Sequence, residues 1–421
     1  MAVVGILTIF LVPRGIVAWT WSDILVSLAY VSLLVTLSLG FSALGFRGDQ
    51  ILLPVVATLC GLGLLSIQRL QPDLEAMNPA YAGLAQRQLL YLGVSLVLMW
   101  ATIMFLRLDW LRRYKYTWLL ATLGLLLITF FFGQEINGAR LWLAVGPFQG
   151  QPSELVKLTL VTFIAGYFAD RGEVLDAGWK LGPLTLPPIP YLLPLVLVWV
   201  GSLAVLVVQN DLGSALLFFG LFLVMLYVAT GKPWYVASGL VAFATGSWLA
   251  FRLFARIDVR IQNWLDPWQD PLVRGYQQIQ SEFALASGGL IGVGLGRGEP
   301  YYIPEVQTDF VFSALAEELG LAGVLGILAC YLVLVLRCFA IALRTADTFP
   351  RLVAIGLGGS LCVQALIIVG GVVRLIPLTG LTMPFVSYGG SSLLTNCLAI
   401  GILLRISGDQ ASDRSPERSF R

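Results

Sequence analysis

YYIPEVQTDFVFSALAEELG, residues 301–320, holds four carboxylates, Glu305, Asp309, Glu317 and Glu318, and runs directly into an apolar stretch that ends near residue 343. A run of that length and character spans a bilayer as a helix, because about 20 apolar residues cross ~30 Å of hydrocarbon. Two of the acids therefore fall inside a membrane helix, where charge is costly and marks either paired structure or function. Further apolar runs lie near 24–45, 50–68, 86–106, 116–132, 152–168, 186–207, 212–230, 233–254, 352–375 and 383–406. Lipid offers backbone groups no hydrogen-bond partner, so each run is expected to be helical. The composition agrees: 58% of the 421 residues are hydrophobic and 12% charged, against about 25% charged in a soluble domain.

The opening MAVVGILTIFLV stops at Pro13-Arg14-Gly15 and lacks both a basic n-region and an A-x-A-like cleavage site, so it reads as a first span reaching about Ala18 rather than a signal peptide. That makes twelve spans, the last ending near residue 406, with a large outer loop at 255–309 and a disordered tail over 407–421. One alternating set of connections, among them the loop carrying Arg107, Arg112, Arg113 and Lys115 and the tail with Arg405, Arg414, Arg418 and Arg421, holds 15 of the 26 Lys and Arg. The positive-inside rule then places both termini in the cytoplasm. The five cysteines sit in apolar spans without paired spacing and read as core residues.

Histidine is absent, which leaves proton chemistry to Asp or Glu and leaves any metal only oxygen ligands. Glu154 and Lys157, three apart at a helix start, share a face. They form either a structural ion pair or, with Arg140, a grip for an anionic head group. Asp211 in QNDLG suits a helix N-cap. Asp309 is either a cap or an acid at the mouth of whatever the outer loop covers, whereas Glu317 and Glu318 suit buried contacts with helix or loop donors. The run SGGLIGVGLGRG follows no strand and fails the context test for a nucleotide loop; its glycines serve close backbone packing or turns. The residues alone thus fit a transporter for an anionic amphiphile or an enzyme acting on a lipid-anchored substrate.

Five stretches, GARLW with QPSELVKL (138–158), QNDLGSA (209–215), WLDPWQDPLVRGYQQIQSEFALASGGLIGVGLG (264–296), PEVQTDFVFSALAEELG (304–320) and PLTGLTMPFVSYGGSS (377–392), occur in the order and spacing of the SEDS family (shape, elongation, division and sporulation), the RodA- and FtsW-like peptidoglycan glycosyltransferases, which the chain resembles. The resemblance implies an all-α polytopic membrane protein with a ten-helix core, to which residues 1–46 add a two-helix hairpin. It implies polymerisation of lipid II, an undecaprenyl-diphosphate-linked disaccharide pentapeptide, at the outer face of the bacterial cytoplasmic membrane, alongside a class B penicillin-binding protein. The family's essential aspartate falls on Asp309, expected to act as general base in an inverting transfer. Arg140, Glu154, Lys157, Asp211, Arg260, Gln280 and Ser281 are the expected substrate-binding positions. No metal ligand is assigned, although a divalent cation, Mg or Mn, could share the diphosphate charge. Where many members carry His two residues before the aspartate, this chain has Gln307; an acid expected eight residues before it is Tyr301. A lipid II flippase and a non-catalytic scaffold for the crosslinking enzyme are the competing expectations.

Overall fold

A computed structural model describes residues 21–413, apart from 137–138, 146–147, 177–178, 182–183, 187–188 and 254. Eleven long helices carry the fold: α1 Trp21–Ala43, α2 Leu52–Met77, α3 Leu84–Phe105, α5 Lys115–Phe132, α6 Pro152–Asp176, α7 Ile189–Val208, α8 Leu212–Thr230, α9 Pro233–Leu253, α12 Val311–Arg344, α13 Thr348–Val372 and α14 Gly390–Asp413. The shorter α4 (Leu108–Arg113), α10 (Ala255–Leu265) and α11 (Tyr276–Gly288) lie in the connections. Leaving α1 aside, the ten long helices are the expected core. The first half of the N-terminal hairpin lies outside the described residues.

Eight helices are long and apolar enough to cross a membrane by length and composition. α6 misses that test because it carries Glu154, Lys157, Asp170 and Arg171, and in α7 the described apolar stretch is Leu195–Val208. The chain is a multi-pass membrane protein. α13 packs against α12, α8 and α6, and α14 packs against α3. α13 is accordingly buried along nearly its whole length, from Phe349 to Val372.

Two departures from the sequence reading are informative. The connection between α5 and α6 folds into a small antiparallel sheet, β1 Gln134–Ile136, β2 Ala139–Val145 and β3 Phe148–Gly150, in that order. A further strand pair, β4 Trp179–Leu181 with β5 Leu184–Leu186, follows α6. At the other end, the stretch expected to be a disordered tail from residue 407 stays helical to Asp413. Ser407 accepts the Asp49 amide at 2.9 Å, and Gln410 donates to the Ile341 carbonyl at 3.1 Å. Polar residues that meet partners extend the helix past its apolar span.

The outer loop is folded, and one set of ties holds it to the end of α13. Trp264 donates its indole N–H to the Arg374 carbonyl at 3.0 Å, and Gln278 donates to the Val372 carbonyl at 3.3 Å. Arg374 in turn pairs with Glu282 at 3.1 Å. The loop thereby grips the end of α13.

α12 is not one continuous helix. Gly320 breaks it with φ 67° and ψ −171°, and a break leaves carbonyl and amide groups that membrane-depth backbone must satisfy internally. The glycine run supplies the partners. Val293 and Gly294 donate to the carbonyls of Glu317 and Glu318, while Leu321 and Ala322 donate back to Gly289 and Leu290, all at 3.0–3.1 Å. This contact is too close for side chains: a Cβ on Gly320 would meet the Gly292 nitrogen at 2.2 Å, and one on Gly292 would meet the Glu318 carbonyl oxygen at 2.2 Å.

The acids beside the break are answered in the same way. Glu318 accepts from Arg69 at 2.7 Å, and Arg69 also donates to the Gly298 carbonyl at 2.7 Å and pairs with Asp73. Glu317 accepts the Glu299 amide at 2.8 Å. The membrane helix carries acid because arginine and loop donors are built to meet it.

Candidate active site

Asp309 lies on the loop side of the α12 start. The helix is capped at Phe310 without any side-chain cap bond, so Asp309 is not serving as the helix cap. Thr308 is not serving either, since its hydroxyl donates to the Glu305 carbonyl at 3.1 Å. The same carbonyl accepts the amides of Thr308 and Asp309, each at 3.1 Å. Glu305 itself has φ 55°, the left-handed conformation that lets one residue reverse the chain. The turn presents Asp309 with partial solvent access. Burial, and then the nearby Glu305 carboxylate, raise its pKa to about 7, against the lowering pull of Thr308 and Arg260.

The segment between α13 and α14 forms the other wall. Ser387 donates to the Thr308 carbonyl and Tyr388 donates its amide to the Gln307 carbonyl at 2.8 Å. Gly380, at φ 71°, comes so near that a Cβ there would stand 3.4 Å from an Asp309 carboxylate oxygen. One turn on, Thr382 donates to Glu154 at 3.5 Å and its carbonyl accepts from Gln364 at 2.9 Å. This single stretch therefore connects the Asp309 turn with the buried pair on α6.

Glu154 and Lys157 form that pair at 2.7 Å, with Lys157 only 1% exposed. The ammonium also donates to Gln364 at 3.1 Å and Asn396 at 2.9 Å. The buried ammonium is thus held by one carboxylate and two amide oxygens. The expectation that Lys157 grips an anionic ligand gives way: it is a pin joining α6, α13 and α14. Polar Gln364 and Asn396, inside apolar runs, were the sequence signal for this pin.

Asp211 caps α8, its Oδ1 accepting the Ser214 amide at 2.9 Å. Its Oδ2 is buried without a hydrogen-bond partner. Burial raises its pKa foremost, Ser214 and Arg260 lower it, and Glu154 raises it. Arg260, on α10 and half-buried, thus favours the ionised form of both Asp309 and Asp211.

The remaining expected positions part company. Arg140 is exposed on β2 and lies 3.5 Å from Glu135 of the neighbouring strand. Ser281 is fully buried and shares a 2.7 Å hydrogen bond with Ser313, which fastens α11 to α12. Gln280 is half-buried on α11. Among the described residues no group of three or more His, Cys, Asp or Glu side chains is placed to hold a metal ion. Glu305, Gly380 and Thr382 join the site although the sequence reading gave them no role there.

The family model described as cell cycle protein, FtsW/RodA/SpoVE, matches residues 50–412. The chain belongs to the FtsW/RodA/SpoVE family. Among curated relatives of this family, a peptidoglycan glycosyltransferase RodA of Mycobacterium tuberculosis is 41% identical over 393 residues, covering 92% of this chain and 84% of the relative. Stage V sporulation protein E of Bacillus subtilis is 35% identical over 335 residues, covering 77% and 86%. Among solved structures, a chain from a study of polymerisation and crosslinking by a peptidoglycan synthase complex superposes with TM-score 0.69 at 32% identity, covering 86% of this chain and 98% of that one. The Thermus thermophilus rod shape determining protein RodA gives TM-score 0.62 at 31% identity over the same shares. The family match begins at residue 50, so α1 lies before the shared FtsW/RodA/SpoVE core.

Proposed function

We propose that this chain is a peptidoglycan glycosyltransferase that polymerises lipid II at the outer face of the bacterial cytoplasmic membrane, with both termini inside and a class B penicillin-binding protein as its crosslinking partner. The observation that carries the reading is Asp309: an acid freed from capping, partly accessible, with its proton held to about pH 7. A general base works best when its pKa lies near the operating pH.

In the reaction, Asp309 takes the proton of the acceptor GlcNAc 4-hydroxyl as that oxygen attacks the donor's anomeric carbon. The carbon–oxygen bond to the diphosphate breaks on the opposite face, undecaprenyl diphosphate leaves, and a single inversion turns the α link into β. The diphosphate needs charge stabilisation rather than a strong acid. Arg260, acting between Asp309 and Asp211, is the residue assigned to that charge. Lys157 contributes by fixing the wall that carries Gly380 and Thr382. No step is assigned to a divalent cation.

Labelled lipid II, supplied to the purified protein with its partner, tests the reading. Polymer from wild type and none from Asp309→Asn supports it. Equal polymer from both removes Asp309 from the chemistry, and lipid movement without polymer replaces the transferase with a flippase. Unimpaired growth of cells carrying only the Asn variant would leave a scaffold.

A further inference from the structure

Gln364 lies fully buried on α13 among apolar neighbours, and both ends of its amide are used. Its Oε1 accepts from the Lys157 ammonium at 3.1 Å, and its Nε2 donates to the Thr382 carbonyl at 2.9 Å. The partners fix which end is which, because an ammonium only donates and a carbonyl only accepts. A carboxylate in its place would set oxygen against oxygen at Thr382, and a hydrocarbon would leave both partners unmet.

Thr382 is two residues from Gly380, where a Cβ would stand 3.4 Å from an Asp309 carboxylate oxygen. α8 packs directly against the same stretch of backbone: a Cβ on Gly213 would meet the Thr379 carbonyl oxygen at 2.7 Å. Further along, Tyr331 donates to the Pro384 carbonyl, and Met383 donates its amide to Ser387 at 2.9 Å. Ser387 and Tyr388 then reach the Asp309 turn. Those bonds hold the far half of the stretch. Gln364 holds the half beside the acid.

We infer that Gln364 is a positioning residue for the transfer reaction: it carries the fixed place of the buried Lys157 ammonium to the backbone that stands beside Asp309. The inference rests on the proposed transferase reading. Full burial keeps Gln364 from the substrate, so it acts on the rate through the wall and not on the binding of lipid II. Asn396 supplies the internal comparison. It is the ammonium's other amide acceptor, at 2.9 Å, but its Nδ2 turns to Ser392 of its own helix at 3.2 Å.

Gln364→Met and Asn396→Leu each remove one acceptor from Lys157, and only the first releases Thr382. With purified protein, its partner and labelled lipid II, Gln364→Met is expected to lower kcat about ten- to a hundredfold, the scale of a small misplacement near reacting atoms, while KM stays within about twofold. Asn396→Leu is expected to keep kcat within about twofold of wild type. Hydrogen exchange over 378–388, read by mass spectrometry, should quicken in Gln364→Met and not in Asn396→Leu. Equal losses from the two variants, unmoved exchange, or a raised KM with kcat kept overturns the inference. If Gln364→Met does not fold, Gln364→Asn, with its amide one methylene short of two partners, carries the same readouts. Absence of polymer from the wild type itself would instead defeat the transferase reading, while the exchange still decides whether Gln364 holds the stretch.

Discussion

Asp309 and Glu318 are nine positions apart on one continuous stretch, both are acids at a membrane boundary, and the protein treats them oppositely. Glu318 sits against Arg69, which also reaches Asp73 and the Gly298 carbonyl. Asp309 meets another carboxylate, a hydroxyl and one half-buried cation. An acid surrounded by donors is structural; an acid whose pKa is raised by burial and a like charge is a candidate for proton chemistry. Position in the sequence did not separate the two.

The sharpest way to break that contrast is to neutralise each acid. Asp309→Asn is expected to lower polymerisation by about 10²–10⁴-fold, the usual contribution of a general base, with the fold retained. Radiolabelled or fluorescent lipid II turned over by purified protein measures it. Glu318→Ala is expected to cost about 1–3 kcal/mol of stability, since buried Arg69 loses one charged acceptor and keeps Asp73 and the Gly298 carbonyl, read as a fall in unfolding temperature in detergent. If the first change unfolds the protein, or the second removes only activity, the distinction fails.

Titration sharpens it further. Because Asp309 is held near pH 7 and works ionised, the polymerisation rate should fall tenfold per pH unit below about 7 and level off above it. The same shift carries the opposite sign for stability. The folded pKa lies above the unfolded value of about 3.9, so ionising Asp309 weakens the fold progressively as pH rises from there toward 7. Asp309→Asn should accordingly raise the unfolding temperature above neutral pH and leave it unchanged in acid. The smallest effect expected is at Ser281: Ser281→Ala breaks one buried hydroxyl pair with Ser313 and costs about 1 kcal/mol, with little change in lipid II turnover.

Much of the fold could be read directly, because helices in lipid announce themselves through long apolar runs. Where the reading slipped, apolar residues were doing something other than spanning. Met383, Pro384, Phe385 and Val386 look like the start of a helix, yet they form the wall beside Asp309, Phe385 with φ 68°, and α14 begins at Gly390. Asp211 was legible as a helix cap, and its Oδ1 does accept the Ser214 amide. For Lys157 the structural pairing with Glu154 was one of two readings the sequence left open, and its further partners Gln364 and Asn396, 207 and 239 positions away, decide between them. Glu305 was hidden for another reason: its influence comes from a backbone conformation that no residue type advertises.

The ladder between residues 289–294 and the interrupted α12 has a consequence for anyone who would cut and splice this molecule. Leu290 belongs to an outer segment by connectivity but to a transmembrane helix by bonding, so the register of the glycine run is locked to that of the span. Insertions or tags should be tolerated between Leu265 and Tyr276, ahead of the ladder. A single added residue between Gly289 and Gly294 would strand amides inside the bilayer and shift the turn that holds the catalytic acid.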